Sequence, residues 1–550
     1  MIEIQQAIRK VTRKLFGAEA PVELTRPDEQ FGDFATNVAL QLSKQVGKNP
    51  REIAESVVAG LKHEAIAATS VAGPGFINIK LTDKALVGLA LAKPSKPLAG
   101  QTVVAEYSDP NPFKILHAGH LYTSIVGDAI ANLLERAGGE VHRVNFGGDV
   151  GLHVGKTMYV ILKRLGGENP DKLQEVPAGE RSEWLAAAYV EGSNLYEDDE
   201  SAKAEIIALN KRVYQLHSDQ DRQSPFAQIY WTCRQWSYDY FDELYDRIGV
   251  SFEKYYPESE TAGLGLETVK AQVGKVFEES DGAIIFRGED HGLHTRVFVN
   301  SEGLPTYEAK DVGLIMAKKR DYDFDKSVVI TGNEQEQYMS VVLKAIEQFA
   351  PELAQATTHL THGMVKMAGG VKMSSRKGNI LRAVDVLDAA TAANKKIIGT
   401  EDERAALAAV KYAFLKQRMG GDIIYDPAES VAIEGNSGPY IQYAHARARS
   451  ILAKVSVIDK PADNFEPDER SLLRKIGEYA EVVEQATAEL IPHHICTYLY
   501  ELAQNFNRFY EHNRVVGDRR EAIRAQLVLA YADTLKAGLN LLNIPAPDKM

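Results

Sequence analysis

Cysteine is almost absent from this 550-residue chain, with Cys233 and Cys496 as the only two. That excludes a disulfide framework and a cysteine-rich metal site, so no zinc is expected. Long apolar runs are missing too: no stretch approaches the roughly 18 to 20 uninterrupted apolar residues of a membrane span. The start, MIEIQQAIRKVTRKLFG, spaces Ile4, Ile8, Val11 and Leu15 along one helical face between charges, which is not the pattern of a signal peptide. Positive charge is scarce, with 63 Lys and Arg against 76 Asp and Glu and a net charge of −13. This does not exclude a nucleic-acid partner, because phosphate binding depends on where the cations lie and not on their total. Internal repeats and low-complexity tracts are lacking as well. A cytoplasmic, monomeric protein without membrane contact is the expectation.

What is present is ordinary globular composition, 45% hydrophobic and 25% charged. At roughly one domain per 100 to 200 residues, three or four domains are expected. Residues 1–98 read as helices followed by the strand-like GPGFINIKL, an α+β domain closed by the linker KPSKPLAG. VVAEY, the loop SDPNPFKILHAGH, the helix pattern LYTSIVGDAIANLLER and the strand EVHRVNF then form a βαβ unit, the core of a Rossmann-type parallel sheet. The sheet domain is placed at 101–385. A polar, aromatic, helical insertion occupies about 163–246, after which GAIIFRG, TRVFVN and SVVITGN return as strands of the sheet domain. Residues 386–550, with a core at about 435–550, read as an all-α domain; in it SLLRKIGEYAEVVEQATAEL carries a stripe of Leu472, Leu473, Ile476, Tyr479, Val482 and Val483.

Two loops carry the chemistry. His117 and His120 bracket Ala118 and Gly119 at a strand-to-helix turn, where small residues admit a nucleotide and imidazoles can donate to phosphate oxygens beside a positive helix terminus. Alone, HxGH is a weak pattern that two locally bonded loop histidines would also produce. Far downstream lies Lys372-Met373-Ser374-Ser375-Arg376-Lys377, a cationic run flanked by glycines and suited to a triphosphate.

In this order the two loops resemble the HIGH and KMSKS signatures of class I aminoacyl-tRNA synthetases. The wider context resembles the arginyl-tRNA synthetase family: Glu106, Asn111 and Lys114 lead into HAGH, and Gly148 and Asp149 stand in NFGGDVG. Tyr307 and Asp311 of PTYEAKDVG and Glu258 of YYPES match positions around the substrate guanidinium, a five-donor planar cation that calls for carboxylates and an aromatic wall. The resemblance implies catalytic roles for His117, His120, Lys114, Lys372, Ser374, Ser375, Arg376 and Lys377. It implies ATP contacts from Ala118, Gly119, Gly148, Asp149 and Met373, with Mg2+ accompanying ATP. Arginine would be held by Glu106, Asn111, His117, Glu258, Tyr307, Asp311 and Gln335; in TGNEQEQYM, Glu334 and Gln337 remain alternatives to Gln335. FGDFATNVAL and GPGFINIKL resemble the family's amino-terminal tRNA-elbow domain, with Phe31, Asn37 and Asn78 as contacts. GPYIQYAHARARSIL and YLYELAQNFNRFYEHNRV resemble its anticodon-binding domain, with Tyr443, Arg447, Arg508 and Tyr510 as contacts. Further arginines there, Arg449, Arg514, Arg519, Arg520 and Arg524, add positive charge. The implied partners are L-arginine, ATP and tRNA(Arg).

A cysteinyl-type enzyme would need more thiolates than two, and a silent tRNA-binding relative would need neither loop. His359, His362, His493 and His494 lack acidic or thiolate neighbours at ligand spacing and read as polar or capping residues. One departure stands out: Ser375 occupies the place of the second signature lysine, and Lys114 or its downstream counterparts Arg376 and Lys377 are candidates to replace it. Lys114→Ala should therefore slow single-turnover adenylation far more than it weakens arginine binding. Unchanged adenylation in that variant would remove Lys114 from the reaction.

Overall fold

The computed structural model describes residues 2–368, 381–399, 402–455 and 464–550. Its centre is a five-stranded parallel sheet of β1 (Thr102–Glu106), β2 (Glu140–Gly147), β3 (Lys254–Pro257), β4 (Lys326–Gly332) and β5 (Thr357–His362), in the order β5-β4-β1-β2-β3. Strand side chains alternate between faces. Val103, Ala105, Val328 and Ile330 accordingly enter one hydrophobic core, while Val104, Val144 and Val329 enter another on the opposite face. Both faces are covered, as a parallel sheet requires. The chain leaves β1 towards β2 on one side and returns as β4 on the other, so the carboxyl ends of β1 and β4 flank a topological switch point where ligands bind.

Helix α1 (Ala118–Arg136) links β1 to β2 and is buried along most of its length. Between β2 and β3 stand four long helices, Leu152–Leu165, Arg181–Asp198, Glu200–Ser218 and α2 (Pro225–Ile248), with a core of their own that includes Met158, Ile206, Phe226 and Cys233. The helical run thus starts at Leu152, ahead of residue 163. Helices α3 (Glu258–Ala271) and α4 (Tyr307–Tyr322) pack against each other between β3 and β4. GAIIFRG and TRVFVN do not join the main sheet. They supply Ala283–Phe286 and Arg296–Val299 to a separate antiparallel sheet with Glu278–Ser280, because short connections allow antiparallel pairing, whereas a parallel strand needs a long crossover.

The first 90 residues pack helices on a three-stranded antiparallel sheet whose middle strand is Phe76–Leu81. The carboxyl-terminal region is helical, ending in Pro467–Ile476, Tyr479–Glu489, His493–His512 and α5 (Glu521–Leu541). One exception in the otherwise helical part is Ile423–Tyr425, which pairs in parallel with Val365–Met367. The stripe from Leu472 to Val483 is carried by two helices and not one. They part at Gly477, whose carbonyl accepts from Arg26 Nη2 of the amino-terminal domain at 3.3 Å.

That contact belongs to an electrostatic seam between the two ends of the chain. Arg26 donates to both carboxylate oxygens of Glu481 at 2.9 and 2.7 Å, Arg474 to the Pro27 carbonyl at 2.6 Å, and Arg470 to Asp33 at 2.6 Å, to Asp83 and to the Leu81 carbonyl. Asp33 is buried. Removing one partner from a buried ion pair leaves an uncompensated charge and costs about 3 kcal/mol or more. Arg470→Met should lower stability by about that amount and speed hydrogen exchange across residues 2–92. Unchanged exchange there would mean that apolar packing alone joins the domains.

Candidate active site

At the switch point, the loop after β1 holds three non-glycine residues in the left-handed region: Ser108 at φ 77°, Asp109 at 51° and Phe113 at 66°. Such backbone is disfavoured for residues with a Cβ and persists only where the surroundings hold it. Asp109 Oδ1 accepts from Phe146 N at 2.8 Å, Asn111 Oδ1 from Gly148 N at 2.7 Å, and Ser237 Oγ from Phe113 N at 3.0 Å.

The loop delivers His117 to the start of α1, where it caps the helix. His117 Nδ1 accepts from Gly119 N at 3.0 Å and His120 N at 3.3 Å, and His120 Nδ1 accepts from His117 N at 3.2 Å. The two rings stack at 3.8 Å. A Cβ on residue 119 would lie 2.8 Å from the His117 ring, so this reciprocal cap needs glycine there. Since each Nδ1 accepts, each neutral imidazole carries its proton on Nε2, leaving two N–H donors for a ligand. Desolvation in the pocket lowers His117 to about 4, against the pull of Glu334 and with help from Lys114 and His362. Desolvation, with His117 and Lys114 adding to it, holds His120 well below its usual range. Neutral donors at a helix amino terminus suit phosphate oxygens.

These residues border a cavity of about 550 Å3 that also touches Thr331 and Gly332 of β4, Glu334, Gln335 and His362. Its volume is in the range of small-molecule sites. His362 was not anticipated as a wall of the site. Its Nδ1 lies 2.8 Å from the Gly363 carbonyl and its Nε2 2.6 Å from Thr123 Oγ1, whose hydroxyl also reaches the Gly119 carbonyl at 2.9 Å.

Among the described residues beside the cavity, acidic groups outnumber cations. Glu106 is buried and ion-paired with the fully buried Lys318, and Glu258 is bonded to buried Lys310 at 2.7 Å. Lys310 also donates to Tyr214 at 3.2 Å and lies 5.0 Å from the centre of the Tyr307 ring. Asp311 is buried with no hydrogen-bond or ion-pair partner among the described residues. Burial, then the charges of Glu106 and Glu258, push its carboxyl well above the usual range, Lys318 opposing. Asp109 is raised likewise by burial and Glu106. Gly148 sits where a Cβ would meet Asn111 Oδ1 at 2.7 Å and Glu258 Oε1 at 3.0 Å, so only glycine lets the two converge. The lysines were not anticipated either, although Lys318 lies seven residues beyond Asp311, on the same face of α4.

Other expected residues are placed differently. Asp149 is fully buried: Oδ1 accepts from Ser259 N at 2.9 Å, and Oδ2 from Ser259 Oγ at 2.7 Å and Arg234 Nε at 3.0 Å. It braces the turn against α3 and α2 and does not line this cavity. Lys114 Nζ lies 5.0 Å from the Tyr189 ring centre in the insertion. Lys372, Met373, Ser374, Ser375, Arg376 and Lys377 fall outside the described residues. Of the tRNA candidates, Phe31, Tyr443 and Arg508 are exposed, Asn37 is half-buried, and Arg447 stacks 4.7 Å from the Tyr510 ring. Asn78 is buried in the middle strand of its sheet, which leaves it little surface for RNA. Arg520 and Arg524 are held by Glu469, and Arg524 by Glu466 as well, so they bind the domain together and are not free cations. His359 and His494 bond to Thr331 and Glu489, as polar residues do.

A doubly covered parallel sheet, a switch-point cavity and a helix capped by a histidine pair define a class I tRNA synthetase. The model for the class I (R) tRNA synthetase catalytic domain matches residues 84–425, that for the arginyl-tRNA synthetase N-terminal domain 2–81, and that for the DALR anticodon-binding domain 441–550. The chain belongs to the arginyl-tRNA synthetase family. It is 29% identical to the arginine–tRNA ligase of Bacteroides fragilis over 98% of both chains, and 30% identical to that of Flavobacterium psychrophilum over 87% of this chain and 84% of the other. The Thermus thermophilus arginyl-tRNA synthetase structure superposes with a TM-score of 0.82 at 25% identity, covering all of both chains.

The depressed His117 value fixes the sign of a pH effect. The unfolded imidazole takes up its proton near 6.5 and the folded one only near 4, so the stability its neutral form contributes is complete above about pH 6.5 and is lost as pH falls from there towards about 4. The His117 ring signal should stay flat in an NMR titration from about pH 8 to about pH 5. A midpoint near 6.5 would instead place an imidazolium at the helix start.

Proposed function

We infer that this chain is an arginine–tRNA ligase in which Asp311 receives the substrate guanidinium. L-Arginine and ATP give arginyl-adenylate and pyrophosphate, and the arginyl group then passes to a hydroxyl of the tRNA terminal adenosine. One observation carries the assignment of Asp311: Glu106 and Glu258 each already hold a lysine, whereas Asp311 is buried and has no partner among the described residues. A guanidinium supplies the missing charge with several donors in a plane, and Tyr307, 58% exposed at the start of the same helix, offers an aromatic wall.

In the first step the arginine carboxylate attacks the α-phosphorus in line with the departing pyrophosphate, a displacement that depends on positioning and charge stabilisation. The His117 and His120 Nε2–H groups and the amino terminus of α1 hold phosphate oxygens over Ala118 and Gly119. Asn111 fixes Gly148 against the arginine site, with Gln335 at the cavity rim. Lys114 supplies the cation that Ser375 does not, together with Lys372, Arg376 and Lys377. Magnesium enters with ATP as its counterion. The reading extends to tRNA: Phe31 and Asn37 meet it at the amino-terminal domain, and Tyr443, Arg447, Arg508 and Tyr510 at the anticodon-binding domain. It takes 1–98, 101–385 and 386–550 as the working units of a cytoplasmic monomer.

Charging of tRNA by purified protein tests the whole reading: arginine should be accepted and the other amino acids refused. Asp311→Asn should weaken arginine by about 2 kcal/mol, a roughly 30-fold rise in KM. Because the raised Asp311 carboxyl must lose its proton to meet a guanidinium, arginine should bind more tightly as pH rises, and the Asn variant should lose that dependence. A pH-independent wild-type affinity would exclude Asp311 as the partner.

A further inference from the structure

The left-handed backbone at Ser108 and Asp109 sits directly ahead of Asn111 and Lys114, yet most of what holds it comes from elsewhere. Tyr245, on the last turn of α2, places its hydroxyl 2.7 Å from Ser108 Oγ and accepts from Asn145 Nδ2 at 3.1 Å. Ser108 Oγ is 2.8 Å from Ser124 Oγ, which lies 2.7 Å from the His120 carbonyl. Ser124 Oγ is the donor in both of its contacts, sharing one proton between Ser108 Oγ and the His120 carbonyl, and Ser108 Oγ stands against the Tyr245 hydroxyl. The same helix fixes the far end of the loop through Ser237 and Phe113 N.

The carboxyl end of α2 is itself held from the opposite end of the chain. Asn543, just beyond α5 and itself left-handed at φ 52°, donates from Nδ2 to the Gly249 carbonyl at 2.7 Å and to Asp128 of α1 at 2.8 Å. Its own carbonyl accepts from the buried Lys411 Nζ at 2.7 Å. Asp128 lies 3.4 Å from the Tyr107 hydroxyl, one residue ahead of the strained turn. One side chain thus ties α5 to both α2 and α1.

We propose that Tyr245 and Asn543 are positioning residues for the arginine site: Tyr245 holds the strained turn that presents Asn111, and Asn543 holds the helix that carries Tyr245. The nucleotide side of the site has two anchors that the turn does not share, Ala118 N donating to the Leu381 carbonyl at 2.8 Å and Ala383 N to the Leu116 carbonyl at 2.9 Å, beside the row from Tyr245 that ends on His120. Loosening the turn should therefore affect arginine and leave ATP little changed. A residue needed only for folding would weaken both alike.

The proposal rests on the arginine–tRNA ligase reading, and the test separates the two. Aminoacylation of tRNA(Arg) is measured with arginine and then ATP varied, for wild type, Tyr245→Phe, Asn543→Gly and the double variant, with Tm recorded for each. Phenylalanine keeps the buried ring, and glycine tolerates the φ of 52°, so both single variants are expected to fold. Tyr245→Phe should raise the KM for arginine by roughly tenfold, the scale of one lost buried hydrogen bond, with the KM for ATP within about twofold. Asn543→Gly should shift arginine in the same sense by less, and the double variant should fall short of the product of the single effects, since both act on one turn. Equal changes in both KM values, changes in Tm alone, or strictly multiplicative effects would overturn the proposal. Failure of the wild type to charge with arginine would instead overturn the functional reading.

Discussion

The enclosed charges at the carboxyl edge of the sheet set the terms for the rest of the site. Glu106, Asp109, Glu258 and Asp311 gather where β1, β3 and α4 meet, with Lys310 and Lys318, among the described residues, buried beside them. Taking a carboxylate out of water is costly unless a cation or several donors replace the solvent. Two of the four carboxylates are paired internally, and the two that burial holds above their usual range give up a proton most readily to a ligand that brings permanent positive charge. Arginine does so at any physiological pH, because its guanidinium does not lose its proton.

That arrangement depends on backbone that is not relaxed. Ser108, Asp109 and Phe113 lie in a region their side chains disfavour, and each is held by a partner on another element: Tyr245 and Ser237 from the insertion, Phe146 from β2. Asp149 performs the same service for the neighbouring turn, joining Arg234 of α2 to Ser259 of α3. The insertion is therefore more than an ornament between two strands. Its last helix forms the outer wall that keeps both turns in shape. The histidine pair, by contrast, is largely self-contained, since each ring caps the other's backbone.

Much of the architecture was legible in the sequence where local pattern and burial agree. The apolar run of β1, the helix after HAGH and the switch to helices after β2 follow from periodicity and from where glycine stops a helix. Reading failed where a tertiary partner decided the outcome. GAIIFRG and TRVFVN have strand composition, yet short connections sent them to a side sheet. The stripe from Leu472 to Val483 has one helical period, yet the chain breaks at Gly477, against which the amino-terminal domain packs. Arg520 and Arg524 add positive charge to the sequence, yet in the fold Glu469 lies between them and takes it up.

The sequence by itself determined the class of chemistry. HAGH and the carboxylates and tyrosine of YYPES and PTYEAKDVG carry the resemblance to the family, because residue type fixes charge and donor count wherever the chain goes. Only the tertiary structure decided which of those residues are free to act. Glu106, Glu258 and Asp311 are all carboxylates in the sequence, but among the described residues two are bonded to lysines and one is not. Asp149 and Asp109 are both aspartates beside a turn, but one is enclosed by Arg234 and Ser259 while the other borders the cavity. Such differences come from contacts between segments hundreds of residues apart, which no local pattern encodes.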